Sequence, residues 1–148
     1  MKTLITKLTT TQAGWSALAL RVPVGVIFAA HGAQKLFGWF GGYGLEGTAG
    51  WMDSIGLSPG MLMAFLAGAA EFFGGLALII GLLTRPAAAA LSIAMLVAIF
   101  AVHFANGLFM ANNGYEFGLA LLAASVSLLF SGAGKLSVDE LLAKRLNS

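Results

Sequence analysis

Met61-Leu-Met-Ala-Phe-Leu-Ala-Gly-Ala-Ala-Glu71-Phe-Phe-Gly-Gly-Leu-Ala-Leu-Ile-Ile-Gly-Leu-Leu83 decides the fold. About 20 consecutive apolar residues suffice for a helix to cross a bilayer. This run reaches that length, and Glu71, its one charged residue, falls near the middle. A carboxylate at the bilayer centre costs about 2.5–3.5 kcal/mol on insertion scales. Glu71 is therefore expected to face the protein interior and to meet a partner there.

The rest of the chain has the same character. Its 148 residues are 59% hydrophobic and 9% charged, with a mean hydropathy of +0.90. Soluble domains carry about 25% charged residues. Too few charges remain here to cover a water-facing surface, so the whole chain reads as one polytopic membrane domain, residues 1–148. A net charge of +2, with the basic residues near segment ends, argues against a nucleic-acid partner and suits membrane orientation. With no cysteine, the chain by itself offers no disulfide, thiol relay or thiolate metal site.

Outward from the quoted stretch, the pattern predicts an all-α bundle of four transmembrane helices, at about 15–36, 59–83, 86–109 and 114–131. The N-terminal 14 residues are polar, and the apolar run from Trp15 is too long, and too interrupted by Arg21, for a signal peptide. Gly25, Ala29 and Ala33 recur at the spacing that lets membrane helices approach closely. On the second helix, Ala64, Gly68, Glu71, Gly75 and Leu78 share a face. Ser58 is expected to cap this helix, with Pro59 at its first position. On the fourth, Glu116, Ala120, Ala123, Ala124 and Ser127 are expected to face inward. The long link between helices one and two is rich in glycine and aromatics. It is expected to hold an interfacial helix over 47–55, with Trp51, Met52 and Ile55 toward lipid and Gly56 ending it. Ser137 and Glu140 form a capping box for a tail helix at 138–146, with Leu136 stapled on Leu141. Lys2, Lys7, Arg85, Lys135, Lys144 and Arg145 gather on one side, which places both termini in the cytoplasm.

Six polar residues are candidates for chemistry: Arg21, His31, Lys35, Glu71, His103 and Glu116. Ordered by depth, they form a polar column opening outward near Lys35 and Glu116. Arg21 is the natural ion partner for Glu71, because its fork can reach a carboxylate bidentately. Alternatively Glu71 exchanges protons or binds a ligand. His31 and His103 lie at similar depth on diagonal helices. They could flank a haem iron, or one of them could donate to a quinone carbonyl in a shared pocket. The plainer roles are helix capping for Glu116, behind Asn113, and snorkelling to the headgroups for Lys35.

These residues in this order resemble the DoxX family of small bacterial and archaeal membrane proteins. The resemblance rests on Arg21, Gly25, His31-Gly-Ala-Gln-Lys35-Leu-Phe-Gly-Trp39, Glu71-Phe-Phe-Gly-Gly75, Gly81-Leu-Leu-Thr-Arg85, His103, Asn113-Gly-Tyr-Glu116 and Gly132-Ala-Gly-Lys-Leu-Ser-Val-Asp139. It implies a four-helix inner-membrane protein associated with redox systems. Among these are terminal quinol oxidase and thiosulfate:quinone oxidoreductase subunits, and membrane complexes that answer oxidative or thiol stress. The expected function is thus an accessory subunit, at most part of a quinone-linked oxidoreductase, that binds a quinone or similar lipophilic molecule. Its expected partners are the bilayer, other membrane or redox-complex subunits, and a second copy of itself. A small proton-coupled transporter and a purely structural partner are the alternatives.

Overall fold

The computed structural model describes residues 2–148. Met1 and the Lys2 side chain, which the sequence assigns to the cytoplasmic terminus, lie outside the described residues. Among these residues the structure is helical, without strands. Seven α-helices follow in order: α1 (Lys2–Thr9), α2 (Trp15–Phe37), α3 (Gly44–Ser54), α4 (Gly60–Ile80), α5 (Thr84–Ala98), α6 (Glu116–Ser131) and α7 (Val138–Asn147).

Three helices are long and apolar enough to cross a membrane: α2, α4, and α5 with its continuation to Asn106. The fourth apolar helix, α6, is shorter than expected, with 16 residues. At 1.5 Å per residue it spans about 24 Å, less than the ~30 Å hydrocarbon core. The reason lies at its start. The amides of Gly114, Tyr115 and Glu116 donate to the carbonyls of Phe109, Gly107 and Leu108, which holds this stretch against the preceding turn. The helices pack in the order α2, α4, α5, α6, with α6 returning to α2, so α2 and α5 are diagonal. One end of the bundle carries α1, α7 and the α4–α5 turn, and is called the terminal end. The other carries α3 and the long links, and is called the loop end.

Glycines set the closest approach. A Cβ on Gly25 would lie 2.7 Å from the Gly75 carbonyl oxygen, and one on Gly75 would lie 2.6 Å from the Gly25 oxygen. Backbones of α2 and α4 therefore touch, as the small-residue spacing predicts. The expected face of α4 is buried, from Ala64 through Gly68, Glu71 and Gly75 to Leu78. Phe73, Ile93, Phe100 and Phe130 project outward and stay more than 60% exposed, a surface matched to lipid rather than water.

Several local expectations are corrected. On α6 the buried face is Leu121, Ser125 and Leu128, whereas Ala120, Ala123 and Ser127 point outward. Larger side chains fill the space against α5, and the Ser125 hydroxyl is satisfied by its own helix at the Leu121 carbonyl. On α3, Met52 turns inward with Ala49 onto Ala64, while Trp51 and Ile55 are partly exposed. Ser58 does not cap α4. Its hydroxyl donates to Asp53, and the same Asp53 Oδ1 accepts from the Gly60 amide at 2.8 Å. Those two bonds hold the Asp53 carboxyl below the usual carboxylate range. The third helix opens at Thr84 rather than Pro86. The Asp139 carboxylate accepts from the Leu83 and Thr84 amides at 2.8 and 2.9 Å, leaving Pro86 in the first turn, where a missing N–H costs nothing. Ser137 does cap α7, accepting from the Glu140 amide at 3.1 Å, but Glu140 reaches Lys144 instead of closing the box. Leu136 and Leu141 are each more than 60% exposed.

Candidate functional site

Toward the loop end the four long helices diverge around a cavity of about 210 Å³. Phe28, His31 and Lys35 reach it from α2 at spacings of three and four residues, one helical face. Glu71 enters from α4, Met95 and Ala98 from α5, and Phe117 and Leu121 from α6. His103 arrives by a local irregularity. The α-helix gives way to a π-helical turn over Ile99–His103. Such turns re-aim side chains and are frequent at functional sites.

Four of the six candidate residues thus converge: His31, Lys35, Glu71 and His103. Lys35 Nζ and Glu71 Oε2 form an ion pair at 2.6 Å. Glu71 is 6% exposed and Lys35 25%, so the acid is on the inner side and the ammonium toward the opening. Among the described residues, Glu71 Oε1 has no hydrogen-bond partner, and Lys35 uses one of its three donors. His103 Nδ1 lies 2.9 Å from the Asn113 carbonyl, which also accepts from Asn106. A carbonyl only accepts, so Nδ1 carries the proton, and in the neutral ring Nε2 is an acceptor. His31 packs its ring 6.0 Å from that of Phe117.

Arg21 and Glu116 do not join this group. The expected Arg21–Glu71 pair is absent, because Arg21 meets α4 at the carbonyls of Leu78 and Ile79. Those lie seven and eight residues beyond Glu71, about 10–12 Å further along the helix. Its other donors go to the carbonyls of Ala133, Lys135 and Leu136. All five N–H groups of the fork are used, on a side chain that is fully buried. Arg21 ties α2, the end of α4 and the α6–α7 link together. Glu116 does not cap the fourth helix, whose N-cap is Tyr115 with no side-chain hydrogen bond. Glu116 Oε1 accepts from the Met110 amide at 3.2 Å, holding the turn beside the cavity that Gly114 and Phe117 line. Asn113 is itself in the left-handed region, with φ 57°.

A second space lies beyond Lys35. It is a cleft of about 340 Å³ lined by Gln34, Lys35, Gly41, Gly42, Tyr43, Thr48 and Trp51. Lys35 alone lines both spaces.

The size of the inner cavity bears on the cofactor expectations. An apolar cavity of about 150 Å³ holds benzene. The space here suits one substituted ring, not a four-pyrrole haem. Phe28, Met95 and Phe117 give the space apolar walls beside its polar groups. Among the described residues, no three His, Asp or Glu side chains gather to hold a metal ion.

Comparison with known proteins agrees with the architecture. The family model described as DoxX matches residues 16–104. CatD of Bacillus subtilis, named as a candidate oxidoreductase, is 35% identical over 127 residues, covering 86% of this chain and 87% of its own. An uncharacterised membrane protein of Mycobacterium tuberculosis is 31% identical, covering 88% of this chain and 83% of its own. The inner membrane protein YqjF of Escherichia coli is 35% identical, covering 86% and 92%. No solved structure matches the chain.

Proposed function

The chain belongs to the DoxX family of membrane proteins, and from that membership we propose that it is a redox-associated subunit of the inner membrane, binding a quinone or similar single-ring lipophilic molecule in the cavity between α2, α4, α5 and α6. The observation that carries the proposal is the convergence of His31, Lys35, Glu71 and His103 on a space otherwise walled by Phe28, Met95, Phe117 and Leu121. Small-molecule sites are mostly apolar with a few convergent polar groups. His31 and Lys35 supply hydrogen bonds to a ring oxygen. His103, its tautomer fixed by Asn113, accepts from a ring hydroxyl. The name of CatD supports a redox setting. We place the loop end, with its tryptophans and glycine-rich link, on the outer side. The basic terminal end then lies in the cytoplasm, α6 is the fourth span, and the Arg21 fork belongs to the scaffold.

The transporter alternative has less support. Below the cavity Phe28, Leu78, Leu91 and Leu128 are each no more than 1% exposed, which closes the path toward the terminal end. The test uses detergent-purified protein and a short-chain ubiquinone. The expected result is a quinone-dependent rise in Tm of several degrees, lost in His31→Ala. No shift at saturating quinone in the unaltered protein, together with no quinone in its lipid extract, would overturn the reading.

A further inference from the structure

We infer that the cleft above Lys35 is an aqueous vestibule, and that the Lys35–Glu71 ion pair is a gate between it and the intramembrane cavity. Three observations carry this, and none depends on what the cavity binds.

The first is position. Lys35 lines both spaces and Glu71 only the inner one, so the pair stands on the boundary. The second is chemistry. The vestibule is walled by an amide, a hydroxyl, a phenol and an indole beside two glycines, a lining that water wets. The cavity wall is mainly aliphatic, thioether and phenyl. The third is how weakly the boundary is fastened. Arg21, elsewhere in the same helix, spends all five donors on five carbonyls and is fully buried. Lys35 makes a single hydrogen bond, is one-quarter exposed, and sits on a flexible four-carbon stem. Swinging Nζ out into the vestibule exchanges one ion pair for hydration, as lysines near membrane surfaces commonly do. That movement uncovers Glu71, the one buried member of the polar group, to the vestibule.

The roof of the vestibule is suited to remain in place while this occurs. Gly42 lies so close to Gln34 that a Cβ there would stand 2.5 Å from the Gln34 Cα. The moving part is then the lysine, not the loop.

The absence of cysteine makes a direct test clean. Ala98→Cys places a thiol on the cavity wall and Tyr43→Cys places one in the vestibule, where the native side chain is 81% exposed. Both are treated in proteoliposomes with an anionic and a cationic methanethiosulfonate, so that altered local charge is not mistaken for opening. Tyr43→Cys should label fast. Ala98→Cys should label at least tenfold more slowly, and adding Glu71→Gln should raise its rate about tenfold with both reagents while leaving Tyr43→Cys unchanged. Equal labelling at the two sites, or an Ala98→Cys rate indifferent to Glu71→Gln, would overturn the gate. Failure to bind quinone would leave these rates as expected, so the two proposals fail separately.

Discussion

Two buried charges on neighbouring helices have opposite structural weight. Arg21 satisfies five carbonyls from three segments, and lysine in its place has only three donors. At least two buried carbonyls are then unpaired, at about 1–3 kcal/mol each. Arg21→Lys is expected to cost roughly 2–6 kcal/mol on that basis, comparable to the net stability of many domains. Thermal unfolding in detergent should show a large fall in Tm or little folded protein. Glu71→Gln should shift Tm by only a few degrees, because Lys35 can turn outward and partly exposed pairs contribute about 1 kcal/mol or less. Depth and face made Glu71 legible in the sequence as an interior group. Its partner was not legible. Arg21 and Lys35 were both cations on the same helix, and only the register of α2 against α4 decides between them. His103 was legible as a polar residue in an apolar helix, whereas its orientation follows from a π-helical turn that no local residue pattern announces.

Among the elements, the α2–α4 pair is the framework and α6 the adjustable member. The small-residue spacing of α2 and α4 translated directly into contact. Gly75→Ala should drive a methyl against the Gly25 carbonyl and destabilise by about 1–3 kcal/mol. Phe73→Leu, two residues away on the lipid side, should leave Tm nearly unchanged. A detergent melt of the two variants separates these outcomes. The same spacing misled on α6. Ala120, Ala123 and Ser127 resemble a packing stripe, yet Leu121, Ser125 and Leu128 face the core. In a helix this uniformly apolar, periodicity has little contrast, and the volume left by α5 chooses the face. The capping of α4 was missed for a related reason. Ser58 and Asp53 are both good caps, and the geometry of the α3–α4 link gives the amide to Asp53.

For the whole molecule, the terminal end is knitted from distant parts of the chain. Arg21 binds carbonyls at Ala133, Lys135 and Leu136, and Asp139 caps α5 from beyond the last apolar helix. Removing residues from 132 onward deletes no spanning helix but leaves the guanidinium short of three acceptors. Such a truncated chain is expected to insert and then be degraded, which a pulse-chase of membrane fractions would reveal. A full-length chain carrying Ser137→Ala should persist. The same knot orders events during synthesis. The first span leaves the ribosome with its arginine unmatched; two acceptors follow 57 and 58 residues later, and the other three more than a hundred residues later. At about 5–20 residues per second, that wait lasts on the order of ten seconds. Through that interval Arg21 lacks part of its acceptor set, so the first helix reaches its final hydrogen bonding only once the segment after α6 has been made.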